Sequence, residues 1–363
     1  MGNKRKLLTF IDDVLENIQK ELGVSKLNIG DGFSGSGVVS RLFKKRAQNL
    51  YVNDLAGYSF TLNECYLANP TPKTLVQIQK YLDEANRLAD EATATTAAST
   101  LTGAWISKHW APAHQKIEVG DRAYFTYENG RRIDVIRDYI ETIPAKVRPF
   151  LLAPLLVESS IHNNTNGQFA AFYKDEHDKG AYGGKNAVDI KRITQKITLP
   201  YPIFSEEKCK VHLSQMDTNK WAKTLPKLDV VYYDPPYNKH PYNIYYFLLD
   251  IINDWDKTAE IPDTYRGQPA TRMKSDYNSS IHAKKAFDDL LANTNAHYVV
   301  LSYNNGGIIP IVELDELLAK HASHVDKIPI DHKTYNRMKG LSNYKRTSVA
   351  KDVKEFLYVL KMK

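Results

Sequence analysis

The tetrapeptide Asp234-Pro235-Pro236-Tyr237 directly follows the apolar run Leu228-Asp229-Val230-Val231-Tyr232-Tyr233. Two consecutive prolines cannot extend a sheet ladder, so the chain must leave the sheet at its carboxyl edge, where open α/β sheets bind ligands. The loop this makes is stiff and presents a carboxylate, the backbone carbonyl of Pro235 and an aromatic ring. These groups suit an exocyclic amine on a planar base: Asp234 and the Pro235 carbonyl accept its two N–H hydrogens, and Tyr237 stacks on the ring. A second constellation is Asp31-Gly32-Phe33-Ser34-Gly35-Ser36-Gly37 at a strand-to-helix junction. Glycines there let the backbone approach a ligand closely and leave helix N-terminal N–H groups for a carboxylate or phosphate. A tight turn with no ligand needs the same glycines. No glycine stands three residues after Gly37, which disfavours the dinucleotide fingerprint. Asp54 lies 19 residues past Gly35. A carboxylate at the end of the second strand can accept both ribose hydroxyls of an adenosine-containing ligand, or cap the helix that starts near Gly57.

Strands and helices in alternation must position these groups. Apolar residues from Leu7 to Leu22 recur at three- and four-residue intervals, predicting an amphipathic helix over residues 4–22. Strands are expected over 26–31 and 50–54, with helices through Val38 to Leu42 and from Tyr58 to Leu67. After Asn69-Pro70-Thr71-Pro72 comes a helical stretch from about Thr74 to Ala92. The rest, as far as Pro202, is irregular and rich in turn formers. Strands return at 210–213, 228–233 and 297–302, with helices near 245–255 and 284–291 between them. A final strand at 355–360 pairs with one near 325–330 as an antiparallel edge. This is an α/β fold with a mostly parallel sheet, divided into residues 1–69, an inserted mostly non-sheet domain 70–202, and 203–363.

Composition narrows the function classes. With 42% hydrophobic and 25% charged residues among 363, the chain can bury a full core and is not globally disordered. Its net charge of +7 is concentrated: residues 320–363 hold 11 Lys/Arg against 4 Asp/Glu, so the preceding 319 residues sum to zero. A polyanion is therefore expected to meet the C-terminal segment. The two cysteines, Cys65 and Cys209, form neither a disulfide framework nor a metal motif, so no metal is expected. The N-terminal apolar positions are interrupted by Asp12, Asp13, Glu16 and Asn17, and no apolar run approaches the roughly 18 residues of a membrane span. A reduced cytoplasmic protein without membrane contact is the expectation.

Taken together, Asn3-Lys4-Arg5-Lys6-Leu7-Leu8, the Phe33-Ser34-Gly35-Ser36-Gly37 turn, Asn53-Asp54, the insertion, Asp234 to Tyr237 and Leu301-Ser302-Tyr303-Asn304-Asn305 stand in a telling order. The chain resembles the Dam-like, alpha-group S-adenosylmethionine-dependent DNA adenine-N6 methyltransferases of restriction-modification systems, over nearly its whole length. The resemblance implies a class I methyltransferase-like Rossmann sheet with an inserted target-recognition domain, and a flipped-out adenine methylated on N6. It implies Asp234, Pro235, Pro236 and Tyr237 as catalytic residues. Lys4, Asp31, Phe33, Ser34, Gly35, Gly37 and Asp54 would bind S-adenosyl-L-methionine, with Asp217 on the adenine amine of that cofactor. Within enzymes the competing reading is methylation of cytosine N4 or an RNA base; outside them it is a catalytically silent DNA-binding protein. No cysteine follows a proline, as a cytosine-C5 nucleophile would. Expected partners are double-stranded DNA and a cognate restriction endonuclease acting on the same site, with the chain a monomer in a bacterial or phage-like cytoplasm. Besides the insertion, the expected DNA contacts are Lys239, His240, Arg272, Lys274 and the basic stretch with Arg337, Lys339, Lys345 and Arg346, where cations alternate with tyrosines and turn formers.

Overall fold

Seven strands form one sheet in the computed structural model, which describes residues 4–94, 103–237, 242–269, 275–330 and 354–363. They are β1 (Leu27–Asp31), β2 (Ala47–Asp54), β3 (Lys210–Gln215), β4 (Leu228–Tyr233), β5 (Ala296–Asn304), β6 (Ala322–Ile330) and β7 (Glu355–Met362). The order is β3-β2-β1-β4-β5-β7-β6. The first five run parallel, and β7 lies antiparallel between β5 and β6. This is the mixed α/β sheet of class I methyltransferases. β4 is buried along almost its whole length, as its unbroken apolar run requires of a strand covered on both faces. β1 pairs with β2 on one side and β4 on the other, so the sheet reverses its winding there. Ligand crevices open at such a switch point, outside the carboxyl ends of the strands.

Lys4–Leu7 forms a 3-10 turn, followed by the helices α1 (Leu8–Leu22), α2 (Val38–Lys44), α3 (Gly57–Tyr66) and α4 (Pro72–Ala94). The predicted opening helix thus starts as a tighter turn, which is where Lys4 sits. Next come α5 (Ile106–His109), α6 (Tyr127–Thr142), α7 (Pro149–Ile161) and α8 (Ile190–Thr194), then α9 (Thr218–Ala222), α10 (Tyr242–Asp254), α11 (Ala283–Ala292) and α12 (Ile311–His321). Ile11, Val14, Leu15 and Ile18 of α1 are buried against β1 and β2, matching the periodicity of that segment.

The region between α4 and β3 is more regular than its sequence pattern suggests. α7 reads PFLLAPLLVESSI and is buried nearly all round, so it has no polar face to reveal a helical period. α6 buries Arg131, Arg132, Asp134 and Arg137, which disguises its inward face as a polar one. Each has partners. Arg132, fully buried, donates to the Ile197 carbonyl (2.6 Å), to Asp90 (2.7 Å) and to Thr93 (3.2 Å), tying α6 to α4 and to the loop that follows α8. Asp134 accepts from the Ile106 and Ser107 N–H groups at 2.7 and 3.0 Å, closing the start of α5. The apolar side chains of these helices share one core with α3 and α10, the two helices that flank the sheet's crevice. The Arg132→Ala protein should lose about 2–4 kcal/mol, measured by urea unfolding, because the Ile197 carbonyl and a cavity are left without their partner. Among the described residues no helix is long and apolar enough to cross a membrane.

Candidate active site

The carboxyl ends of β1, β2 and β4 open onto a cavity of about 340 Å³, within the roughly 300–1,000 Å³ of small-molecule sites. Lys4, Phe33, Ser34, Gly35, Asp54, Asp217, Asp234, Pro236 and Tyr237 all line it, although they come from five separate parts of the sequence. Asp31, Gly37 and Pro235 are not on its wall. Asp31 is fully buried beneath the glycine turn, where Oδ2 accepts from Ser40 at 2.5 Å and Oδ1 has no hydrogen-bond partner among the described residues. Burial pushes its carboxyl up to about 7, the Ser40 hydroxyl pulling the other way.

The glycine turn is shaped by its neighbours. Gly35 has φ +51° and Gly37 φ +72°, left-handed conformations that a side chain resists. Among the described residues a Cβ on Gly35, which lines the cavity, would meet no atom within 4 Å; one on Gly37 would run into Asn63 Oδ1. Asp54 locks the turn from the next strand: its Oδ2 accepts from Gly35 N–H (2.7 Å) and its Oδ1 from Ala56 N–H (2.9 Å). Asp54 does not cap α3, whose N-cap residue is Ala56 with no side-chain cap; it braces the turn that precedes the helix, and since each carboxylate oxygen accepts more than one hydrogen it keeps acceptor capacity for a ligand. Burial raises its pKa, and the backbone N–H groups oppose the shift. Asp217, exposed at the cavity edge, accepts from Lys220 N–H at 3.1 Å and so caps α9 as well as lining the cavity. Phe33 meets Tyr277 edge-on (5.2 Å, 86°) and Tyr233 in the same way (6.1 Å, 71°). These residues fit an adenosyl-methionine ligand: carboxylates for ribose and amine donors, a lysine for a carboxylate, and glycine backbone where the ligand passes closest.

At the other end of the cavity Lys4 Nζ lies 3.1 Å from Asp234 Oδ1, with the Tyr237 ring centroid 5.6 Å away. Burial disfavours the ammonium, but Asp234, Tyr237, Tyr232 and Glu355 more than offset it, so Lys4 is held protonated well above its ordinary range. Burial raises the Asp234 pKa despite the opposing pull of Lys4, and Glu355 adds to the rise. The loop is braced from behind: Tyr237 carbonyl accepts from Ile308 N–H (3.0 Å), and Tyr303 packs on Tyr237 (5.6 Å, 67°). Tyr303 in turn accepts from Ile309 N–H at 2.9 Å, while Ser302 pairs with Tyr232 through their hydroxyls at 2.8 Å. The Leu301 to Asn305 segment is thus the backing of the Asp-Pro-Pro-Tyr loop.

The family model for D12 class N6 adenine-specific DNA methyltransferases matches residues 1–305. The chain belongs to this family. It is a DNA adenine methyltransferase, working with a methyl-donating cofactor on DNA. Type II methyltransferase M.NlaIII of Neisseria lactamica is 26% identical over 369 aligned residues, spanning 99% of this chain and 98% of that protein. Type II methyltransferase M.CviAII of Paramecium bursaria Chlorella virus 1 is likewise 26% identical, over 99% of this chain and 96% of its own. Type II methyltransferase M.FokI of Planomicrobium okeanokoites matches 99% of this chain at 26% identity but only 52% of itself.

Several cavity residues of the enzyme escaped the sequence reading. Tyr58, Tyr246, Asp250, Tyr277 and Glu355 line the same space. Tyr246 stands at a kink inside α10 (φ −129°, ψ 16°) and Asp250 on the helical stretch that follows it. The pKa of Asp250 is pushed up to about 7 by burial and by Asp254 and Asp54. Glu355 has no local signal at all. The expected DNA contacts Lys239, His240, Arg272, Lys274, Arg337, Lys339, Lys345 and Arg346 lie outside the described residues.

Proposed function

We propose that the chain methylates adenine N6 of a flipped-out nucleotide in duplex DNA, using S-adenosyl-L-methionine, as the modification partner of a restriction endonuclease that cuts the same site. The observation that carries the reading is the single cavity shared by the glycine turn, Asp54 and the Asp234 to Tyr237 loop. The type II relatives support the restriction-modification role. Bound S-adenosylmethionine supplies an electrophilic methyl on sulfur. Asp54 and Asp217 would hold its ribose and adenine, Phe33 and Gly35 would pack on it, and Lys4 would face its carboxylate.

Adenine N6 is a weak nucleophile because its lone pair is delocalised into the ring. Asp234, on the cavity wall, accepts one of its two hydrogens, and the backbone carbonyl of Pro235, whose residue lies just off that wall, is assigned the other, which favours a pyramidal nitrogen with its lone pair aimed at the methyl; positioning and fixed dipoles then supply the rate. Lys4 occupies one oxygen of Asp234 and leaves lone pairs for the amine. The nitrogen sheds one proton after transfer, and Asp234 is placed to take it. Flipping costs a few kcal/mol, and stacking on Tyr237, worth roughly 1–3 kcal/mol, offsets part of it. The residue 70–202 insertion, packed against α3 and α10 beside the cavity, is assigned target recognition, and the basic C-terminal segment is assigned phosphate contacts.

Transfer of labelled methyl from S-adenosylmethionine tests this reading, with duplex DNA, structured RNA and adenine-free duplex as parallel substrates. Label on the first alone is expected, and label on RNA or on adenine-free duplex overturns it. The pH profile follows from Asp234. The carboxylate must be ionised to accept the amine, and its pKa is raised above the ordinary 3.8. Turnover should therefore be full well above that raised value and fall as pH drops through it, so the acid limb lies above 3.8. An acid limb at or below the value of an exposed aspartate would count against Asp234 as the titrating group.

A further inference from the structure

We infer that Glu355 is a positioning residue for methyl transfer, holding the Lys4 ammonium between two carboxylates so that it engages one oxygen of Asp234 and leaves the other to the substrate amine. The inference rests on the methylation reading above and adds a residue to it. Glu355 lies beyond residues 1–305, the part that matches the family.

Glu355 Oε1 lies 2.5 Å from Lys4 Nζ, on the ammonium that also meets Asp234 Oδ1 at 3.1 Å. The lysine and glutamate side chains are 14% and 17% exposed, so water screens them little. The glutamate is well anchored. It opens β7 and pairs with Asn304 on β5 and with Ile330 on β6. The preceding residue is pinned twice: Asn305 N–H donates to the Lys354 carbonyl (3.1 Å), and Lys354 N–H donates to Asn305 Oδ1 (2.9 Å). The same Leu301 to Asn305 segment that backs Tyr237 therefore also sets where Glu355 begins.

Elementary electrostatics explains why the third charge matters. An ammonium facing a single half-buried carboxylate is drawn over both of its oxygens, since nothing competes for its remaining hydrogens. A second carboxylate on the far side divides those hydrogens. The trio carries one net negative charge, which suits a site meeting a sulfonium and generating a cationic amine. The groups facing Asp234 are Lys4 from the 3-10 turn, Asp31 from β1, Tyr232 from β4, Tyr237 from its own loop and Glu355 from β7. Within that set Glu355 raises the Asp234 pKa. Removing its charge lets Asp234 ionise more readily, so the acid limb of turnover moves to lower pH.

The test compares the pH profiles of kcat for duplex-DNA methylation in the full-length wild-type, Glu355→Gln and Glu355→Asp proteins. In Glu355→Gln, kcat should fall about 10- to 100-fold, by more than the cofactor KM changes, and the acid limb should be displaced to lower pH. Glu355→Asp keeps the charge on a shorter arm; its limb should stay at the wild-type position while kcat falls less. Wild-type kcat and limb in the glutamine variant overturn the assignment. So does an equal loss of kcat in both variants with no movement of the limb, the pattern of a glutamate that merely joins the chain ends. Should Glu355→Gln fail to fold by circular dichroism, the aspartate variant decides: reduced kcat at the wild-type limb supports the assignment and undiminished kcat overturns it. A wild-type chain that methylates no DNA counts against the function proposed above and takes this inference with it.

Discussion

Replacing Asp234 by alanine should lower methyl transfer to duplex DNA by about 10³-fold or more, while S-adenosylmethionine still binds and the fold survives. The expectation follows from what Asp234 touches. Its carboxylate faces Lys4 and the cavity, and the cofactor-facing groups, Asp54, Gly35 and Phe33, come from other strands with their own supports. Deletion of the carboxylate removes the acceptor that localises the nitrogen lone pair, but it leaves Lys4 with Glu355 as a counter-charge, so no buried ammonium is stranded. Asp234→Asn sharpens the result: it preserves volume and offers an amide where an acceptor is required, so it should lose nearly as much activity. Calorimetric titration with cofactor alongside transfer of labelled methyl separates the effects. Near-normal transfer in either variant would remove Asp234 from the chemistry, and loss of cofactor binding would make its role architectural.

The second large effect concerns the two glycines, which should fail in different ways. Gly37→Ala forces a side chain into a φ of +72° and against Asn63, at a cost of about 1–2 kcal/mol for the backbone alone and more for the clash. Asn63 donates to Ser34 Oγ (3.0 Å) and to the Ser59 carbonyl (2.9 Å), so its displacement disturbs the turn and α3 together. A clear drop in thermal midpoint is expected. Gly35→Ala meets no neighbour, so beyond the left-handed backbone cost of about 1–2 kcal/mol its methyl acts on the ligand. Its cofactor affinity should fall at least about tenfold with a smaller drop in midpoint than Gly37→Ala. The reverse ranking, a stable protein with weak cofactor binding for Gly37→Ala and an unstable one with full binding for Gly35→Ala, would contradict the assigned orientation of the turn.

How far the sequence could be read depended on whether a residue's partners lie near it along the chain. β4 and its loop were legible because an unbroken apolar run ending in two prolines has few other solutions; the strand spans the predicted residues, Leu228–Tyr233. The antiparallel edge was legible for the same reason, with β6 and β7 each a little longer than expected. α6 and α7 were not: one hides its inward face behind paired arginines and the other has no outward face. Sequence pattern assumes that buried means apolar, and Arg132 breaks that assumption by finding three acceptors at once. Lys4 shows the other limit. Composition alone makes it part of a solvated basic start, and only the family resemblance drew it toward the cavity. Its two carboxylates come from residues 234 and 355, so the ion-paired cluster is a product of topology. Tyr277 and Asp250 reach the cavity in the same way, from segments whose sequence carries no motif.

The charge surplus gains meaning from this architecture. The five parallel strands, the glycine turn and the Asp234 loop belong to the electrically neutral first 319 residues, and the positive excess lies in the segment that holds the antiparallel edge strands β6 and β7. Phosphate contacts from that segment would set register without reading bases.

A cavity that methylates adenine N6 at one sequence leaves a recurring mark on DNA. Single-molecule sequencing of DNA from cells expressing the chain tests for it most directly, since it reports modified base and motif together. N6-methyladenine is expected at a single recurring motif, and none when the Asp234→Ala chain is expressed. Methylated cytosine at a motif, or no modified base with the wild-type chain, would contradict it.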